Sequence, residues 1–206
     1  MYIPTAIIGH SFATRLGHAN GCLEQYLRVD DHISPILTFG ISGARIVESH
    51  LNKLEHYVRT NCPHVVIIEL GTNDLQLGTC PLQTANNLIT FANVLLSIHS
   101  VDEVYLFAVT PRARSNSNHF NDLAERHNNI LYNLCTLEEK VFYIKHSKIH
   151  HDPKTHLIDG LHPWMQSNSA YCLSLRKLLF SIVTKFSRLV LIYYDELFIY
   201  TFGWTL

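Results

Sequence analysis

His64-Val65-Val66-Ile67-Ile68-Glu69-Leu70-Gly71-Thr72-Asn73-Asp74 decides the fold of this 206-residue chain. Four consecutive β-branched residues favour a strand, and the absence of polar alternation favours one covered on both faces. Such a strand lies in the middle of a parallel sheet. The run stops at Gly71, and the polar Thr-Asn-Asp that follows is turn chemistry. An Asn at that point can aim its amide at a developing oxyanion, or the same residues can simply turn the chain and cap a helix.

Strands are expected at residues 3–8, 33–39, 64–70, 104–109 and 141–144. Helices are expected between them at 12–29, 45–59, 81–96 and 120–137, with a last one at 167–183. The helical assignments rest on apolar spacing such as Ile46, Val47, Leu51, Leu54 and Val58, and on Pro81 as a first helical residue. Five alternations of strand and helix predict an α/β protein: a five-stranded parallel sheet with helices on both faces. Ligand sites in such sheets gather at the carboxyl ends of the strands. Ser11, Gly40 to Gly43, Gly71 to Asp74 and Thr110 to Arg112 all follow directly on expected strands.

Composition narrows the function classes. An apolar content of 47% with 16% charged residues describes a globular chain, and a net charge of -1 leaves no footprint for nucleic acid. Five scattered cysteines without a C-x-x-C pair read as reduced thiols. With no signal-peptide pattern at the amino end, a cytoplasmic location is expected. No G-x-G-x-x-G or G-x-x-x-x-G-K-[ST] is present, which argues against nucleotide binding.

The chemistry concentrates in a long loop at 145–163, where Asp159-Gly160-Leu161-His162-Pro163 sets a carboxylate three residues before a histidine. The Asp can orient the ring and fix its tautomer, making His162 a general base; the same stretch can also be a satisfied surface turn. Such a base needs a nucleophile, and Ser11, after the break at Gly9, is the candidate. Gly43, leading into a helix, offers a free N–H. His146, His150, His151, His156 and His162 fit no regular ligand spacing, so no metal and no cofactor are expected. Arg112 and Arg114 can serve an anionic substrate group or be solvated loop charges, and the second is favoured. The tail at 184–206 reads as strand-like segments around Asp195-Glu196, too short and charged to span a membrane; an edge hairpin, an amphipathic contact segment and a poorly ordered terminus all fit it, and it is assigned no function.

Taken in order, Gly-x-Ser near the start, Ser-Gly after strand two, Gly-Thr-Asn-Asp after strand three and Asp-x-x-His near the end resemble the SGNH hydrolase superfamily, the GDSL-type esterases and lipases. The resemblance covers residues 3–183. It implies one esterase domain over 1–183, a three-layer, flavodoxin-like α/β/α sandwich, and hydrolysis of small-molecule or lipid esters through an acyl-enzyme. It also implies Ser11 as nucleophile, His162 as base and Asp159 as its orienting carboxylate. The oxyanion hole would be Ser11 N–H, Gly43 N–H and the Asn73 side chain. One position departs: His10 stands where the family usually has Asp, removing a loop-ordering carboxylate and putting a possible cation beside the nucleophile. The alternative is a degenerate domain that binds protein or RNA, but retention of Ser11, Asn73, Asp159 and His162 together favours the enzyme.

Overall fold

The computed structural model describes residues 3–17, 36–162 and 169–202, with side chains as far as Phe186. The strands are β1 (Thr5–Gly9), β2 (Ile36–Gly40), β3 (Val65–Glu69), β4 (Glu103–Phe107) and β5 (Val141–Ile144). They form one sheet in the order β2-β1-β3-β4-β5, and every neighbouring pair is parallel. The helices are α1 (Ser11–Gly17), α2 (Glu48–Asn61), α3 (Thr72–Gln76), α4 (Pro81–Leu96), α5 (Asn118–Cys135), α6 (Ser147–His151), α7 (Pro153–His156) and α8 (Ala170–Phe202).

The central strand packs on both faces, as its unbroken apolar run requires. Val66 and Ile68 join Ala6 and Ile8 against Leu54 and Val58 of α2, Leu88 and Leu95 of α4, and Leu131 of α5. Val65 and Ile67 join Ile7 against Phe12 and Leu16 of α1 and Tyr171, Leu175 and Leu179 of α8. Truncating one of these buried side chains to Ala costs about 2–5 kcal/mol. The result is the expected three-layer sandwich. Its strand order reverses direction at β1, so the crevice above the ends of β1 and β3 is where a ligand belongs.

Several boundaries differ from the sequence reading. α1 ends at Gly17, and the remainder of the helix expected to 29, with the start of the second strand, lies outside the described residues. The loop at 145–163 contains two short helices, the second opened by Pro153 and capped by Asp152. The tail is not strand-like: α8 runs without a break from Ala170 to Phe202. An apolar run interrupted by two acidic residues suits either period, and continuity with the preceding helix decides it. Among the described residues no helix is long and apolar enough to cross a membrane.

Candidate active site

Gly9 closes β1 where the strand touches β3 most tightly. A Cβ there would lie 2.2 Å from the Glu69 carbonyl oxygen, so only glycine fits. The next amide, His10 N, donates to that same oxygen at 3.1 Å, which fixes the chain as it turns into α1 and presents Ser11. Gly40 has the same purpose at the end of β2: a Cβ would lie 2.1 Å from Thr14 N of α1.

The second loop leaves β2 and passes Gly43, whose φ of +72° suits glycine. Its continuation is clamped from α3. Asn73 Nδ2 donates to the Ala44 carbonyl at 2.8 Å, and the buried Asp74 carboxylate accepts the Ile46 N–H at 3.0 and 3.2 Å. Burial pushes the Asp74 carboxyl above its ordinary range, partly opposed by that amide and by Arg45. The side-chain amide of Asn73 thus stands beside Gly43 with one N–H engaged and a second still to give. From sequence, Asp74 reads as cap chemistry; it instead holds a loop 28 positions away.

The third element is the turn carrying Asp159 and His162. His162 Nδ1 lies 2.6 Å from Asp159 Oδ2, while Asp159 Oδ1 accepts from His162 N at 2.7 Å and Leu161 N at 2.9 Å. Slight burial raises the Asp159 carboxyl, but the His162 ring and the two amides outweigh it and hold the group well below the usual carboxylate range. An ionised Asp159 accepts a hydrogen bond from Nδ1–H, which puts the free lone pair of the ring on Nε2. The turn is pinned from the loop after β4: Ala113 N donates to Gly160 O at 3.0 Å, and Arg114 Nε to Asp159 O at 3.2 Å. Arg114 is exposed, as the solvated-charge reading expects, and its Nε also braces the turn. Arg112 donates to Gln76 and lies over the Phe120 ring at 3.8 Å, an equally structural role.

Phe12 bridges the two halves, its ring edge-on to His10 at 4.7 Å and to His162 at 5.9 Å. Ser11 Oγ has His10 Nδ1 as its hydrogen-bond partner, at 3.4 Å, and is not bonded to His162. His10 is not a cation. Burial pulls its pKa down to about 4, with Glu69 partly opposing and His162 adding to the effect. The possible cation beside Ser11 is thus a buried ring held neutral near pH 7.

Beneath this loop lies a buried polar group that the sequence did not suggest. Glu69, at the end of β3, accepts from Tyr171 OH at 2.7 Å and has His146 Nε2 at 3.6 Å. His146 is stacked on Phe107 with 4.0 Å between ring centres. Glu69, His146 and His10 all line one small cavity of about 10 Å³ with Thr72 and Thr110.

Four segments, following β1, β2, β3 and β5, thus carry a serine, a glycine, an amide-bearing Asn and an Asp–His pair at the carboxyl ends of the strands. The sequence profile of the GDSL-like lipase/acylhydrolase family matches residues 7–166. The chain belongs to that family. It is accordingly an ester hydrolase by class. Solved structures with the same fold include a GDSL-like lipase from Bacteroides thetaiotaomicron, 15% identical, with a TM-score of 0.67 over 87% of this chain and 88% of the other. A catalytic mutant of an acetylxylan esterase from Geobacillus stearothermophilus is 13% identical, with a TM-score of 0.63 over 85% and 92%. A carbohydrate acetylesterase from Sinorhizobium meliloti is 17% identical, with a TM-score of 0.59 over 90% and 99%. No curated protein matched the chain by sequence.

Proposed function

We propose that the chain hydrolyses acyl or acetyl esters of small molecules through an acyl-enzyme on Ser11. The observation that carries this reading is the 2.6 Å contact of His162 Nδ1 with an ionised Asp159, which leaves Nε2 as acceptor at a rim shared with Ser11. Ser11 Oγ attacks the acyl carbon as His162 Nε2 takes its proton. The negative charge that gathers on the carbonyl oxygen is met by the N–H groups of Ser11 and Gly43 and by Asn73 Nδ2. His162 then returns the proton to the departing alcohol. Water, deprotonated by the same nitrogen, attacks the acyl carbon and restores Ser11.

The two structural relatives described as acetylesterases support an acyl group on a hydroxyl of a small molecule as the substrate class. The reading is tested with p-nitrophenyl acetate and butyrate. The wild-type chain is expected to hydrolyse at least one, and Ser11→Ala and His162→Ala to lose about 10⁴-fold in kcat. Wild-type turnover in the Ser11→Ala chain would overturn it.

A further inference from the structure

We propose that His10 is a positioning residue for the nucleophile: its Nδ1 lone pair holds the Ser11 hydroxyl until a substrate carbonyl arrives and the proton passes to His162. The inference rests on Ser11 being the nucleophile. Its ground is geometric. Nδ1 of His10 lies 3.4 Å from Ser11 Oγ and 3.5 Å from Phe12 N, whose hydrogen points at it. An amide N–H can only donate, so Nδ1 is the acceptor and the ring proton is on Nε2. The hydroxyl of Ser11 is then the donor to the same nitrogen.

Both contacts are long, and they describe a loose hold on the hydroxyl. That suits a residue that must release it. The ring cannot turn away easily. It is 4% exposed and edge-on to Phe12 at 4.7 Å. The backbone N–H of His10 is bonded to the Glu69 carbonyl at 3.1 Å, which fixes the chain from which the ring projects. The charged or titratable groups around it are Glu69 from β3, His162 from the Asp159 turn, and His146, which lines the same small cavity. A neutral ring is the state in which Nδ1 can accept at all, since an imidazolium has two donors and no lone pair.

Asn carries its Oδ1 on Cγ, as His carries Nδ1, so His10→Asn keeps an acceptor at nearly the same place. His10→Leu fills the buried site with none. The test measures kcat and KM for wild type, both variants and Ser11→Ala at a temperature where all are folded. His10→Leu is expected to lose about tenfold or more in kcat with KM within about threefold, and His10→Asn to recover most of that loss. A Leu variant with wild-type kcat, or an Asn variant no better than Leu, would overturn the role of His10 while Ser11→Ala remains dead. An active Ser11→Ala would instead overturn the nucleophile itself.

A pH profile gives a readout that packing alone does not move. In His10→Asp the acceptor stays, but a carboxylate now faces the base and favours its protonated form. The acid limb of kcat/KM is expected to rise by about half a unit or more. An unmoved limb means that residue 10 does not face the reacting pair, and contradicts the proposal even if the Leu variant does not fold.

Discussion

Asp159 binds His162 twice: Oδ2 meets the ring at 2.6 Å and Oδ1 meets the same residue's backbone N–H at 2.7 Å. A carboxylate engaged this way fixes both the tautomer and the position of the His162 ring. Asp159→Asn keeps the shape but presents an amide that can offer its N–H to Nδ1 and stabilise the wrong tautomer. The expected outcome is a loss in kcat of about 10²- to 10⁴-fold with little change in KM, read from steady-state kinetics. Because hydrogen bonds keep the Asp159 carboxyl ionised far into acid, the acid limb of activity should not report this group.

Asp74 is expected to matter without touching substrate. Replacing it by Ala leaves the buried Ile46 N–H without its acceptor and frees the loop that carries Gly43. An unsatisfied buried donor costs about 1–3 kcal/mol. Under the proposed mechanism, a loosened Gly43 loop should also lower kcat about tenfold or more, whereas direct loss of the Asn73 donor in Asn73→Ala should cost about 10²- to 10³-fold. Thermal melts and kcat on the same preparations check both effects.

Stability should fall in mild acid. Burial, against a partial pull from Glu69, takes His10 down to about 4; burial takes His127 to about 4 and, with Lys145 and His146, His150 to about 3. The unfolded chain takes up these protons near the ordinary value of 6.5, whereas the folded chain resists until about 4. The unfolded state therefore binds more protons in that window, and stability drops as pH falls through it. Melting temperatures at pH 7.5, 6 and 5 should decline stepwise, and more shallowly in His127→Asn; a flat series would contradict the burial of these rings.

Gly9→Ala should be among the more damaging small substitutions, because its Cβ would meet the backbone oxygen of Glu69 at 2.2 Å. Either β1 or β3 must move, at a cost of about 2 kcal/mol or more, and Ser11 moves with β1. A lowered denaturation midpoint with reduced activity is expected. Gly43→Ala meets nothing within 4 Å, so its effect should come from backbone strain alone.

The sheet was legible because Val65 to Ile68 can only be a doubly covered strand, and glycine or a turn follows each of the first three strands. The candidate site was legible in its types and order, since chemistry restricts which residues can follow a strand end. Partnerships across the chain were not. Tyr171 reaches Glu69 over 102 positions and Asp74 reaches Ile46 over 28, and no local pattern marks either. Nor does a histidine's sequence context say that it is buried: His10 reads as a possible cation beside Ser11 until Phe12 and Glu69 are packed around it. The tail misled because an apolar run without a clear period fits strand and helix alike.

Covalent labelling by a fluorophosphonate tells whether Ser11 is the activated nucleophile proposed above. The folded wild-type chain should gain one label, mapped by peptide mass spectrometry to Ser11, with His162→Ala labelled at least about 100-fold more slowly and Ser11→Ala not at all. A folded wild type that stays unlabelled, or one labelled as fast without His162 as with it, would contradict the account.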